Sequence, residues 1–127
     1  MARVLIVDDE VDSVDALARY LRTRGHEVGT APNGREALLA LSASPPDVVL
    51  LDLRMPRVDG VSFLQIIRSY LRWQSLPVIV YTAYGEGIDA QRAMQMGVTV
   101  VLRKPLATFD QVADAVATTL VRTDQAG

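Results

Sequence analysis

Three short, nearly unbroken apolar runs constrain this chain most: Val4-Leu5-Ile6-Val7, Val48-Val49-Leu50-Leu51 and Val78-Ile79-Val80-Tyr81. Runs this short, without the alternation of a half-exposed strand, suit strands covered on both faces. Helical spacing follows each run. Val11, Val14, Leu17, Ala18 and Leu21 come after the first, Phe63, Leu64, Ile67 and Leu71 after the second, and Ile88 to Met96 after the third. Two weaker strands are expected, at Glu27 to Ala31 (an edge) and at Val98 to Arg103. Asn33 with Glu36 and Thr108 with Gln111 have the spacing of helix-opening capping boxes. Asp59-Gly60 reads as a turn and helix start. Gly25, Pro45-Pro46 and Gly97 supply stops. A last helix is marked by Phe109, Val112, Ala113, Val116 and Leu120. Five strands alternating strictly with five helices predict a parallel sheet with helices on both faces.

The chain's 127 residues suit one domain. Residues 1–122 are expected to form it, with 123–127 as a short, fraying tail. Zero cysteines exclude a disulfide framework and a thiol nucleophile. A net charge of −2 argues against binding nucleic acid through the overall field. No apolar run has the length of a membrane span and no signal-peptide pattern is seen, so a cytoplasmic location and no membrane contact are expected.

In open α/β sheets, ligands bind beyond the carboxyl ends of the strands. Four of the five strands end there in polar groups: Asp8-Asp9, Asp52, Thr82 and Lys104. Lys104 is also the only Lys among 13 basic residues. Such economy suggests a place that needs an ammonium rather than a guanidinium. Crowded carboxylates repel unless a cation joins them, and an all-oxygen set suits Mg²⁺. The only histidine, His26, belongs to the opposite edge and is expected on the surface rather than among ligands. A carboxylate nucleophile, a hydroxyl and an ammonium beside Mg²⁺ are parts for phosphoryl transfer. The Gly85-Glu86-Gly87 loop lacks the P-loop pattern, so no nucleotide is implied.

Asp8-Asp9, Asp52 with Met55-Pro56 and Asp59-Gly60, Thr82-Ala83 and Lys104-Pro105 together resemble the receiver domain of two-component response regulators, in order and spacing, over nearly the whole chain. The resemblance implies a flavodoxin-like doubly wound five-stranded parallel sheet of order 2-1-3-4-5. It implies that Asp52 accepts a phosphoryl group from a sensor histidine kinase or phosphotransfer protein. Asp9, Asp52 and the Arg54 carbonyl would bind Mg²⁺, and Asp8 would hold metal-bound water. Thr82 and Lys104 would contact the phosphoryl group, and Lys104-Pro105 would be cis. A target protein or output domain would read the face of helix 4, strand 5 and helix 5, through which a homodimer can also form. Such a domain catalyses only its own phosphorylation and dephosphorylation. The family commonly has an aromatic three residues before the Lys, where this chain has Val101. Tyr81 and Tyr84 flank Thr82 and are the candidates for an aromatic readout instead. Two other readings are a fragment of a longer regulator and a Mg²⁺-dependent phosphatase with an Asp nucleophile. The phosphatase usually needs an acid two residues past the nucleophile, where Arg54 stands.

Overall fold

The computed structural model describes residues 2–126, with side chains for 2–122. Its strands are β1 (Arg3–Val7), β2 (Glu27–Ala31), β3 (Val48–Leu51), β4 (Val78–Thr82) and β5 (Val100–Arg103). Between and after them lie α1 (Val11–Thr23), α2 (Gly34–Ala43), α3 (Gly60–Arg68), α4 (Ile88–Gln95) and α5 (Phe109–Ala126). All strand pairs are parallel, in the order β2-β1-β3-β4-β5. The three strongest apolar runs hold the three central positions, and β2 is an edge, as expected.

Strand alternation splits the core in two. Leu5, Val7, Val49, Leu51, Val78 and Val80 face α2, α3 and α4, with Ala37, Leu41, Phe63, Leu64 and Ile67. Val4, Ile6, Val48, Leu50 and Ile79 face α1 and α5, with Leu17, Leu21, Val112 and Val116. A side chain such as Leu21, fully buried, contributes about 1.5–3 kcal/mol of apolar transfer energy.

The helix starts follow their caps. Asn33 accepts the Glu36 N–H at 2.9 Å, and Asp59 accepts the Ser62 N–H at 2.9 Å. Thr108 and Gln111 exchange reciprocal bonds of 2.8 and 3.1 Å, a full capping box. Gly60 is required where α3 begins, because a Cβ there would lie 2.7 Å from the Leu53 Cα and against the Asp52 carbonyl.

Two expectations shift. The third helix ends at Arg68, and Leu71 sits in a separate 3-10 turn, Leu71–Trp73, 88% exposed. Arg68 explains the break: its guanidinium donates to the carbonyls of Trp73 and Leu76 at 2.9 and 2.8 Å and to Met96 at 2.9 Å. The chain must turn there to bring those carbonyls within reach. The last strand begins at Val100 rather than Val98, since Val98 still bonds back to Ala93 in α4. The last helix, α5, runs to Ala126. The division at 122 therefore rests on the sequence pattern alone.

Candidate functional site

The loops after β1, β3, β4 and β5 converge on one edge. Asp52 follows β3 and is 6% exposed; Asp8 follows β1 and is 7% exposed; Thr82 closes β4 with no exposure. The Thr82 hydroxyl donates to Asp52 Oδ1 at 2.6 Å and accepts the Tyr84 N–H at 3.1 Å. The Arg54 N–H reaches the same Asp52 oxygen at 3.4 Å. Lys104 follows β5 across a cis peptide to Pro105 and forms an ion pair with Asp8. The sequence pattern thus brings Asp8, Asp52, Thr82 and Lys104 together.

Glu10 joins the carboxylates at this edge. Asp8, Glu10 and Asp52 each offer a carboxylate oxygen within 4.8 Å of the other two. Asp9 is exposed and stands outside that group. The Glu10 N–H bonds to Asp8 Oδ1 at 3.0 Å, which ties the start of α1 to that carboxylate. Glu10 sits at the N-cap of α1, and its only sequence signal was its place two residues past Asp8. Arg54 borders the site through its backbone, while its side chain points outward, to Asp89 and Tyr84. His26 is half-buried on the far edge, where its Nδ1 accepts the Ala2 N–H at 3.2 Å.

Burial pushes the Asp52 carboxyl above its ordinary value; the Thr82 bond opposes this, and Asp8 adds to it. Burial pulls Lys104 down, yet the hydrogen bond and charge of Asp8, with Asp52 and Glu10 behind it, leave Lys104 above its usual value. A buried carboxylate held at a cost among others, with only oxygen donors, fits a hard divalent cation.

The two tyrosines divide between the sheet faces. Tyr81 shares the α1 and α5 face with Ile79, and its ring lies 5.0 Å from Lys104 Nζ. Val101 packs on the opposite face, toward α4. Tyr81 therefore cannot occupy the space that an aromatic at 101 would use. Tyr84 lies past β4 beside Arg54, on the way to α4.

A doubly wound parallel sheet that gathers a buried carboxylate, a hydroxyl and an ammonium at its carboxyl edge defines a small α/β domain of the flavodoxin-like type. The chain belongs to the response regulator receiver domain family, whose model matches residues 4–117. It is 36% identical over 109 residues to an uncharacterised 14.6 kDa protein of Leptolyngbya boryana, covering 86% of this chain and 83% of that one. It is 39% identical over 105 residues to the transcriptional regulatory protein KdpE of Mycobacterium tuberculosis, covering 83% of this chain but only 45% of the relative. A receiver domain structure from Clostridium thermocellum superposes with a TM-score of 0.88 at 29% identity, over 100% of both chains. Among the described residues, no helix is long and apolar enough to cross a membrane.

Proposed function

We propose that this receiver domain is a switch that accepts a phosphoryl group on Asp52. The supporting observation is the buried Asp52 carboxylate, bonded by Thr82 at 2.6 Å and faced by the Lys104–Asp8 pair, in a chain of this family. A carboxylate oxygen of Asp52 attacks phosphorus, the bond from phosphorus to the donor's imidazole nitrogen breaks, and the imidazole leaves. Thr82 and Lys104 then donate to the phosphoryl oxygens, where charge has accumulated. Hydrolysis by water returns phosphate and the free carboxylate. Mg²⁺, held by Asp52 with Asp8 and either Asp9 or Glu10 and by the Arg54 carbonyl, supplies charge neutralisation when bound. Glu10 is added to the expected ligands because its carboxylate, unlike that of Asp9, belongs to the cluster.

Thr82 already bonds to Asp52, so phosphorylation asks for a shift of that bond from carboxylate to phosphoryl oxygen rather than a long swing. The shift changes the populations of two packings around α4, β5 and α5, through differential contacts of the phosphoryl group in each. The donor is a sensor histidine kinase or phosphotransfer protein in the cytoplasm. The reader is a protein partner or an output module, as the chain's match to less than half of a transcriptional regulator supports. Residues 1–122 form the switching unit, and 123–127 a tail.

Incubation with Mg²⁺ and acetyl phosphate, followed by intact mass measurement, tests this reading. One added phosphoryl group is expected, absent in Asp52→Asn and absent when Mg²⁺ is chelated beforehand. Equal labelling of Asp52→Asn overturns the assignment.

A further inference from the structure

Three side chains just outside the site make contacts that the chemistry above does not use. The Arg54 guanidinium lies 4.3 Å over the Tyr84 ring. Its Nε also pairs with Asp89 Oδ2 at 3.3 Å. Arg54 belongs to the loop after β3, Tyr84 to the loop after β4, and Asp89 to the first turn of α4. Each end of this arrangement is tied to one atom. The Arg54 N–H bonds to Asp52 Oδ1 directly, and the Tyr84 N–H bonds to the Thr82 hydroxyl that donates to the same oxygen.

Elsewhere the connection from Asp52 to α4 is thin. Val101, on the α4 face of β5, has no ring to move, and Tyr81 faces the other side of the sheet. Between Tyr84 and α4, Gly85 and Gly87 carry no side chain, Glu86 pairs with Arg103 of β5 at 2.9 Å, and α4 has no side-chain N-cap. Arg54 and Tyr84 thus form a direct side-chain route from Asp52 to the first turn of α4.

We propose that Arg54 is a positioning residue which, by clasping Tyr84 and Asp89, carries the phosphorylation state of Asp52 to the N-terminus of α4. The proposal rests on Asp52 being the phosphoacceptor. A phosphoryl dianion beside Asp52 draws the Thr82 hydroxyl, and the Tyr84 N–H follows its acceptor. The Tyr84 ring then moves relative to the guanidinium, and the guanidinium is itself attracted toward the new charge and away from Asp89. Losing its partner, Asp89 releases the first turn of α4. An exposed ion pair is weak by itself, so a new charge close by can exchange its partner easily.

The test is hydrogen exchange by mass spectrometry on the α4 segment, with Mg²⁺ and with or without acetyl phosphate. The change in exchange is normalised to the phosphorylated fraction read from intact mass. Wild type is expected to show faster exchange over Ile88–Gln95 on phosphorylation. Asp89→Asn, which leaves the phosphoryl site untouched, should take up the phosphoryl group and lose at least half of that change. Arg54→Met, which keeps an apolar stem over the ring but borders the Mg²⁺ donors, should lose at least half of the change per phosphoryl group bound, whatever its labelling rate. Arg54→Lys should recover part of it, since a cation remains over Tyr84. A full wild-type response in phosphorylated Arg54→Met, or equal losses in the Lys and Met variants, overturns the clasp while leaving the phosphoacceptor reading intact. Wild-type protein that gains no phosphoryl mass overturns both.

Discussion

Asp52→Asn is expected to stabilise the metal-free fold although it removes the central residue of the site. One Asp52 carboxylate oxygen lies within 4.8 Å of an oxygen of Asp8 and of Glu10. At that separation a like-charge pair costs about 1 kcal/mol in a water-like medium and about 3.5 kcal/mol at an effective dielectric of 20. Lys104 is paired with Asp8 and cancels most of one such pair. Glu10 is exposed, so its repulsion falls near the lower figure, about 1 kcal/mol. Replacing a buried charge by an amide relieves roughly another 1 kcal/mol of desolvation. The Thr82 bond, no longer charge-assisted, gives back about 1 kcal/mol. The net is about 1 kcal/mol in favour of Asn, or roughly 3–5 °C in Tm for a chain of this size. The pH dependence carries a sign that checks the cause. Because Asp52 is held above its ordinary 3.8, the folded state binds its proton at a pH where the unfolded state does not. The Asn advantage is therefore full above the folded-state value and closes as pH falls toward the unfolded one. Urea unfolding followed by circular dichroism, in EDTA and at several pH values, measures it. Mg²⁺ at ten times its dissociation constant adds about 1.4 kcal/mol to wild type and should erase the difference. An Asn variant less stable than wild type in EDTA at neutral pH, or an advantage that grows on acidification, refutes the reasoning.

Lys104→Arg should keep the fold and cation binding but lose the phosphorylation-dependent change in α4 exchange, and a normal response would show that any cation serves there. Gly60→Ala should cost about 1–3 kcal/mol, because the added Cβ meets the Asp52 and Leu53 backbone. Ala is otherwise better than Gly in a helix by about 1 kcal/mol, so a neutral or stabilising result in thermal unfolding would remove that contact from the account. His26 is held below its usual 6.5, chiefly by burial and also by Arg24, and its Nδ1 must be unprotonated to accept the Ala2 N–H. Its contribution to stability is full above pH 6.5 and is lost as pH falls toward the lower folded-state value. Wild type should thus lose more stability than His26→Gln between pH 7.5 and pH 5.5 in urea titrations (a range chosen about one unit either side of the ordinary value), and parallel curves would show that the His26 bond carries no weight.

The central strands and the helix starts were legible because each is written locally. Unbroken apolar runs place β1, β3 and β4 inside, and Asn33, Asp59 and Thr108 open helices with their own side chains. The chemical edge was legible for a topological reason, since a parallel sheet gathers residues that follow its strands. What escaped depends on where a side chain points once the backbone has turned. Glu10 carried no signal of its own in the sequence, and its carboxylate meets those of Asp8 and Asp52 only once the chain has turned into α1. Leu71 continues the helical period of Phe63, Leu64 and Ile67, yet Arg68 recruits distant carbonyls and ends the helix first. Tyr81 and Tyr84 looked interchangeable beside Thr82 until sheet parity sent Tyr81 to the α1 and α5 face.

The lone Lys gains a physical reason from its surroundings. The Lys104 side chain is 12% exposed and its partner Asp8 side chain 6%, so the pair is largely removed from water. Removing one member of such a pair strands the other and costs about 3–5 kcal/mol, which argues that a cation must stay. Its shape is then decided by the walls. Nζ lies 5.0 Å from the Tyr81 ring centre on one side, and Pro105 fixes the backbone immediately after it. An ammonium can turn its three donors from Asp8 toward a phosphoryl oxygen on Asp52 without moving those walls. A planar guanidinium, filling the same slot as a fork, satisfies Asp8 in two places and is slower to let go. A guanidinium suits a fixed set of partners, as Arg68 shows with the carbonyls of Trp73, Leu76 and Met96. At Lys104 an ammonium can exchange Asp8 for a phosphoryl oxygen without first releasing a two-point fork.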